Sequence, residues 1–129
     1  MASILIVDDS LGCRNAATAL LRAQGHRVSC ADNAWRGLTI LESMPVDLVI
    51  LDLELPGLSG MGFLKDVQNG RHRAVAVIVA TAMDENQELW GQFGPQVKRW
   101  MVKGEYSGEE LLGAVGEVIS QGAPVVAAA

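Results

Sequence analysis

Five short strand-like runs punctuate this chain, and a stretch with helical spacing follows each one. The runs are Ile4–Val7, Arg27–Ala31, Val46–Leu51, Val75–Ala80 and Arg99–Val102. Strand and helix taking turns predicts an α/β fold: a five-stranded parallel sheet, right-handed crossovers and helices on both faces. The third and fourth runs are apolar at almost every position, as expected of central strands covered on both sides.

The intervening segments carry helix signals. Ala17, Leu20 and Leu21 share a face within Leu11–Gln24, with Asp9 or Ser10 as cap and Gly25 as terminator. Asp32 or Asn33 caps a second helix through about Ser43, in which Trp35, Leu38 and Leu41 are expected along one side. Phe63, Leu64 and Val67 give a short third face beyond Gly57 and Gly60. A fourth helix is expected over Asp84–Phe93, its end blurred by Gly91, Gly94 and Pro95. Leu111, Leu112, Val115, Val118 and Ile119 form a broad stripe in the last helix, about Ser107–Ser120.

At 129 residues the chain suits one domain, read as a body over 1–121 and a short tail over 122–129. Its 15 Asp plus Glu against 10 Lys plus Arg give a formal charge of -5. That balance argues against nonspecific nucleic-acid or anionic-membrane binding, and no helix-turn-helix segment is present. No apolar run approaches the roughly 20 residues of a membrane span, so no insertion is expected. Met1 leads straight into the first strand without a leader pattern, and a cytoplasmic location is the expectation. Cys13 and Cys30 are expected to be reduced packing residues, and His26 and His72 surface groups without zinc spacing. Trp90, Phe93 and Trp100 are candidates for an exposed partner patch or for core packing.

The polar residues at the strand ends are more informative. Asp8 and Asp9, Asp52, Thr81 and Lys103 follow four different strands, and loops at the carboxyl ends of parallel strands gather around one crevice. Three carboxylates held together repel one another, and a hard divalent cation such as Mg2+ relieves that repulsion. The set suits metal-assisted phosphoryl transfer, with Asp52 as nucleophile and Thr81 and Lys103 holding phosphoryl oxygens. No GxxxxGK[ST] run is present, so the phosphoryl group is expected from a bound donor and not from a nucleotide in a P-loop.

From about Ser3 to Ile119 the chain resembles a response-regulator receiver domain of bacterial two-component signalling, of the chemotaxis-regulator type. The resemblance is carried by ILIVDDS, DLVILDLELPGLSG around Asp52, VIVATA ending at Thr81 and WMVKG around Lys103. It implies the doubly wound, flavodoxin-like strand order 2-1-3-4-5. It also implies Asp52 as phosphoacceptor, with a histidine kinase or histidine phosphotransfer protein as donor and a downstream protein partner as reader. By position Asp9 resembles the direct Mg2+ ligand and Asp8 a ligand through water. Asp52 and the backbone carbonyl of Glu54 would complete the set. Thr81 and Lys103 resemble the phosphate-sensing pair, and Trp100 the aromatic switch residue whose rotation tracks Thr81. Homodimerisation stays open.

Several positions depart from the family pattern. Gly104 replaces the usual Pro after the Lys, Trp100 is bulkier than Tyr or Phe and also suits static packing, and the resemblance implies that Glu54 lies beside the phosphate with Met83 across from it. Such a site can also hydrolyse its own acyl phosphate slowly. Two rival readings remain at this point. One is a binding or dimerisation module that keeps the fold but ignores phosphate. The other is a small phosphotransferase-like hydrolase, for which Glu54 is an imperfect second acid.

Overall fold

A computed structural model describes residues 1–70, 72 and 75–121. The expected tail at 122–129 lies outside the described residues. Five strands, β1 (Ser3–Val7), β2 (Arg27–Ala31), β3 (Leu48–Leu51), β4 (Ala76–Thr81) and β5 (Val97–Val102), form one parallel sheet in the order β2-β1-β3-β4-β5. Helices α1 (Leu11–Ala23), α2 (Ala34–Ser43), α3 (Gly60–Asn69), α4 (Gln87–Trp90) and α5 (Gly108–Ser120) connect and follow them.

The two faces of the sheet explain why its central strands lack polar alternation. Successive side chains point to opposite faces, so Ile4, Ile6, Leu48, Ile50 and Ile78 pack with Leu21 of α1 and Leu111, Val115 and Val118 of α5. Leu5, Val7, Val49, Leu51, Val77 and Val79 pack on the other face with Leu41, Phe63, Leu64 and Val67 of α2 and α3. Burying a side chain such as Phe63 contributes about 1.5–3 kcal/mol over leaving it in water, and both faces need covering for these strands to be stable.

Caps fix where the helices begin. Ser10, Asn33, Ser59 and Ser107 each accept a backbone N–H of the first turn. At α5 the Glu110 side chain returns a bond to the Ser107 N–H, closing a capping box. Gly25 ends the α1 connection at φ 88°, a conformation that glycine enters without a Cβ penalty.

Several expectations are corrected. α4 is one turn, not the ten residues from Asp84 to Phe93. Asn86 supplies the cap late, to the Leu89 N–H, and Gly94 at φ 73° followed by Pro95 stops any continuation. β5 starts earlier, at Val97, which pairs with Val77 before an irregularity carries Lys98 outward. β3 starts later, at Leu48, because Asp47 turns its buried carboxylate to the Ser3 N–H at 2.8 Å. Trp35 leaves the expected α2 stripe and is 61% exposed; Ala34, Gly37 and Leu41 face the core instead, at spacings of three and four. Cys13 and Cys30 are exposed rather than packed, Cys13 on the outer side of α1 and Cys30 on edge strand β2 beside the Thr18 hydroxyl at 3.1 Å.

His26 is half-buried, and its Nδ1 accepts the Ala2 N–H at 3.1 Å. Burial, then the positive chain amino terminus, pushes its pKa below the ordinary 6.5. The unfolded chain therefore binds a proton more readily, and this contribution to stability, present above pH 6.5, is lost as pH falls through the folded value. Thermal melts at pH 7.5, 6.5 and 5.5 are expected to show a progressive fall that is shallower in His26→Asn, which keeps an acceptor and cannot titrate.

Candidate functional site

The strand order reverses at β1, where β2 lies on one side and β3 on the other, and such a switch point opens a crevice at the strand ends. Register places the acidic residues there. Val7 pairs with Leu51, so Asp8 and Asp52 each follow immediately after a matched position. Thr81 closes β4 opposite Val102, and the next N–H, that of Lys103, donates to the Thr81 carbonyl at 2.8 Å.

One end of the sheet thus collects every strand-end residue that the sequence singled out. Carboxylate oxygens of Asp8, Asp9 and Asp52 lie within 4.8 Å of one another. Asp8 and Asp52 are 5% and 4% exposed, and Asp9 faces solvent. The Lys103 ammonium bridges the two buried acids, with Nζ 2.7 Å from Asp8 Oδ2 and 2.7 Å from Asp52 Oδ2. Burial alone would lower the Lys103 pKa; hydrogen bonds to Asp52 and Asp8 and their charges outweigh it, so the amine is held above its ordinary range. Lys103 stays charged at neutral pH. One ammonium still faces three carboxylates, which leaves the pocket negative.

The remaining oxygens are fixed by the backbone. Asp52 Oδ1 accepts the Glu54 N–H at 2.9 Å, and Asp8 Oδ1 accepts the Ser10 N–H at 2.8 Å. Fully buried Thr81 points its hydroxyl 3.4 Å from Glu54 Oε1 and receives the Met83 N–H, also at 3.4 Å. The Glu54 side chain is exposed, and its backbone sits directly beyond Asp52. An all-oxygen donor set of this size fits a hard divalent ion. Asp8, Asp9 and Asp52 are the groups that could hold one.

Two contributors escaped the sequence reading. Arg14 reaches back from α1 to the Asp8 carbonyl at 2.7 Å and fastens the acidic loop. Its place one helical turn after the Ser10 cap was the available signal. Gly60 approaches the Asp52 peptide so closely that a Cβ there would lie 2.5 Å from the Asp52 carbonyl oxygen. Gly104, in place of the family's Pro, adopts φ 84° in the turn after Lys103.

Trp100 does not lie in an exposed patch. It is 8% exposed and Phe93 fully buried, because both rings pack against the α3 side of the sheet; Trp90 is half-buried.

Residues 4–115 match the family described as the response regulator receiver domain. The chain belongs to that family. Protein PilH of Pseudomonas aeruginosa is 35% identical to this receiver over 94 residues, 71% of the chain and 78% of PilH. The KDP operon transcriptional regulatory protein KdpE of Escherichia coli is 36% identical over 68% of the receiver, but the match spans only 38% of KdpE. A CheY-like receiver from Methanospirillum hungatei superposes with a TM-score of 0.84 at 22% identity, covering 94% of this chain and 95% of that one. Response regulator TrrA of Thermotoga maritima, solved in complex with Mg2+ and BeF, gives a TM-score of 0.80 at 27% identity, covering 92% and 99%. The receiver therefore has the doubly wound 2-1-3-4-5 fold and is a two-component signal-transduction module. Among the described residues no helix is long and apolar enough to cross a membrane.

Proposed function

We infer that this receiver accepts a phosphoryl group on Asp52 from a histidine kinase or histidine phosphotransfer protein and thereby alters the surface it offers a downstream protein. The observation that carries this is Lys103 clamped at 2.7 Å on both Asp8 and Asp52 inside a pocket that keeps three carboxylates together. A pocket of ordinary surface acids would spread those charges apart, since burying them without a task costs stability.

In this reading an Asp52 carboxylate oxygen attacks phosphorus, the P–N bond of a phosphohistidine breaks, and its electron pair returns to the imidazole nitrogen. Mg2+, held by Asp9, Asp52, the Glu54 carbonyl and, through water, Asp8, would supply charge neutralisation on the phosphoryl oxygens. Lys103 leaves its bridging position and pairs with a phosphoryl oxygen, and the Thr81 hydroxyl turns from Glu54 to donate to another. The unit that performs this is residues 1–121. The added charge and acceptor oxygens reorganise the loops that bear these residues, which biases partner binding.

Incubation with phosphoramidate and Mg2+ is expected to add one phosphoryl mass to the intact chain. Chelation by EDTA should slow uptake on the order of a hundredfold, the loss of several kcal/mol of charge stabilisation. Labelling that is indifferent to EDTA would overturn the reading.

A further inference from the structure

Each of the five strand-end loops brings an exposed acid to the rim of the acidic pocket: Asp9 after β1, Asp32 after β2, Glu54 after β3, Asp84 and Glu85 after β4, and Glu105 after β5. Arg36 meets Asp32 at 4.0 Å; the others are not ion-paired with any described residue. The nearby cations are already engaged, Arg14 with the Asp8 carbonyl at 2.7 Å and Lys103 between Asp8 and Asp52. The exposed bases Arg22, Arg27 and Lys98 lie toward the opposite end, where α1 stops and β2 and β5 begin. Charge is thus sorted along the strand direction, with the negative end at the pocket.

Two large apolar side chains, Leu11 and Met83, are 62% and 37% exposed in the loops that carry these acids. Apolar contacts ringed by charge suit a surface that another protein covers. Helix stabilisation accounts for Glu109 and Glu110, which stand in the first turn of α5. It does not account for Glu54, or for Asp84 and Glu85 ahead of a single-turn helix.

Resting on the acyl-phosphate reading above, we propose that this rim selects the phosphodonor: it admits a phosphohistidine set among basic side chains and disfavours donors that carry net negative charge. The exposed carboxylates repel a phosphoryl group, whereas Lys or Arg around the donor histidine turns the same field into attraction. A divalent ion in the pocket offsets the inner carboxylates, while the rim acts at longer range on the approaching donor. Asp84, Glu85 and Glu105 are therefore specificity-determining residues, and their role lies in encounter and not in the chemical step.

Glu85→Lys combined with Glu105→Lys reverses part of the rim. Asp66→Lys combined with Glu117→Lys makes the same change in net charge on exposed residues in the later turns of α3 and α5. Synthetic peptides carrying one phosphohistidine, flanked either by lysines or by glutamates, serve as donors. At low ionic strength the unsubstituted receiver is expected to take its phosphoryl group from the lysine peptide at least about tenfold faster. The preference should fade as added salt shortens the Debye length. The rim reversal should lower the ratio of the two rates at least about fivefold, and the control pair by less than about twofold. Equal rates from both peptides, or a control as effective as the rim reversal, would overturn the proposal.

The same preference is read without chemistry. The unphosphorylated lysine peptide, titrated at low salt and followed by NMR, should shift the amide signals of the strand-end loops. Its affinity should fall at least about threefold in the rim reversal and by less than about twofold in the control. If neither peptide nor phosphoramidate labels the receiver, the acyl-phosphate reading fails, while this titration still decides the charge preference of the rim. Shifts spread over the whole surface, or an equal loss of affinity in both pairs, end the proposal.

Discussion

Asp52→Asn is expected to abolish phosphoryl addition outright while the fold persists. The amide is nearly isosteric, and its oxygen can still accept the Glu54 N–H that Asp52 Oδ1 accepts at 2.9 Å. A neutral amide oxygen is a poor nucleophile and cannot carry a stable acyl phosphate, so the chemical step disappears rather than slows. Stability should change little for a reason particular to this pocket. Removing one member of a buried ion pair normally strands the other at a cost of about 3–5 kcal/mol. Lys103 is not stranded, since Asp8 remains 2.7 Å away. The variant also relieves part of the repulsion among Asp8, Asp9 and Asp52. Intact mass after incubation with phosphoramidate and Mg2+, together with a thermal melt, checks both halves. Retained labelling would move the phosphoacceptor elsewhere and sink the assignment.

Gly60→Ala should do the opposite, damaging the fold and the site together. A Cβ at this position would lie 2.5 Å from the Asp52 carbonyl oxygen and 2.5 Å from the Leu53 Cα, both backbone atoms that no rotamer change can move. The Gly60 N–H also donates to the Leu53 carbonyl at 3.1 Å, which ties the start of α3 to the end of the Asp52 segment. Relieving the clash means lifting α3 from β3 or shifting the Asp52 peptide. Such overpacking costs about 1–3 kcal/mol, occasionally more. Because the reacting carboxylate hangs from the displaced peptide, phosphoryl uptake should fall by roughly tenfold to a hundredfold in the fraction that stays folded. Denaturant melts and single-turnover labelling separate the two effects. Gly113→Ala on α5, where nothing lies within 4 Å of the added methyl, is the matched control and should leave both nearly unchanged or slightly improved.

These two substitutions differ in how visible they were beforehand. Asp52 stands out in the sequence because an apolar run ends abruptly in a carboxylate, and three other runs end in Asp8, Thr81 and Lys103. Parallel strands with right-handed crossovers leave little choice about where such residues meet. Gly60 reads only as a turn residue, since the atoms it must avoid belong to a loop eight residues away in the chain.

The same contrast runs through the helices. α5 declares itself through a long stripe and a Ser107–Glu110 cap. α4 does not: Asp84–Phe93 has acceptable helical composition, and only the late cap at Asn86 and the turn at Gly94 shorten it. Trp35 was misplaced for a related reason, because spacing by three fits either side of a short helix until the sheet beneath chooses one.

Local pattern therefore determined the elements, their order, the parallel sheet and the identity of the acidic pocket, because strand period, caps and chain connectivity are all near-neighbour properties. Tertiary structure alone decided which cation fills the space between Asp8 and Asp52, how closely Gly60 presses on the Asp52 peptide, and that Trp100 spends its N–H on Met83. Each of those depends on distances between atoms brought together by packing, and no spacing along the chain encodes such distances.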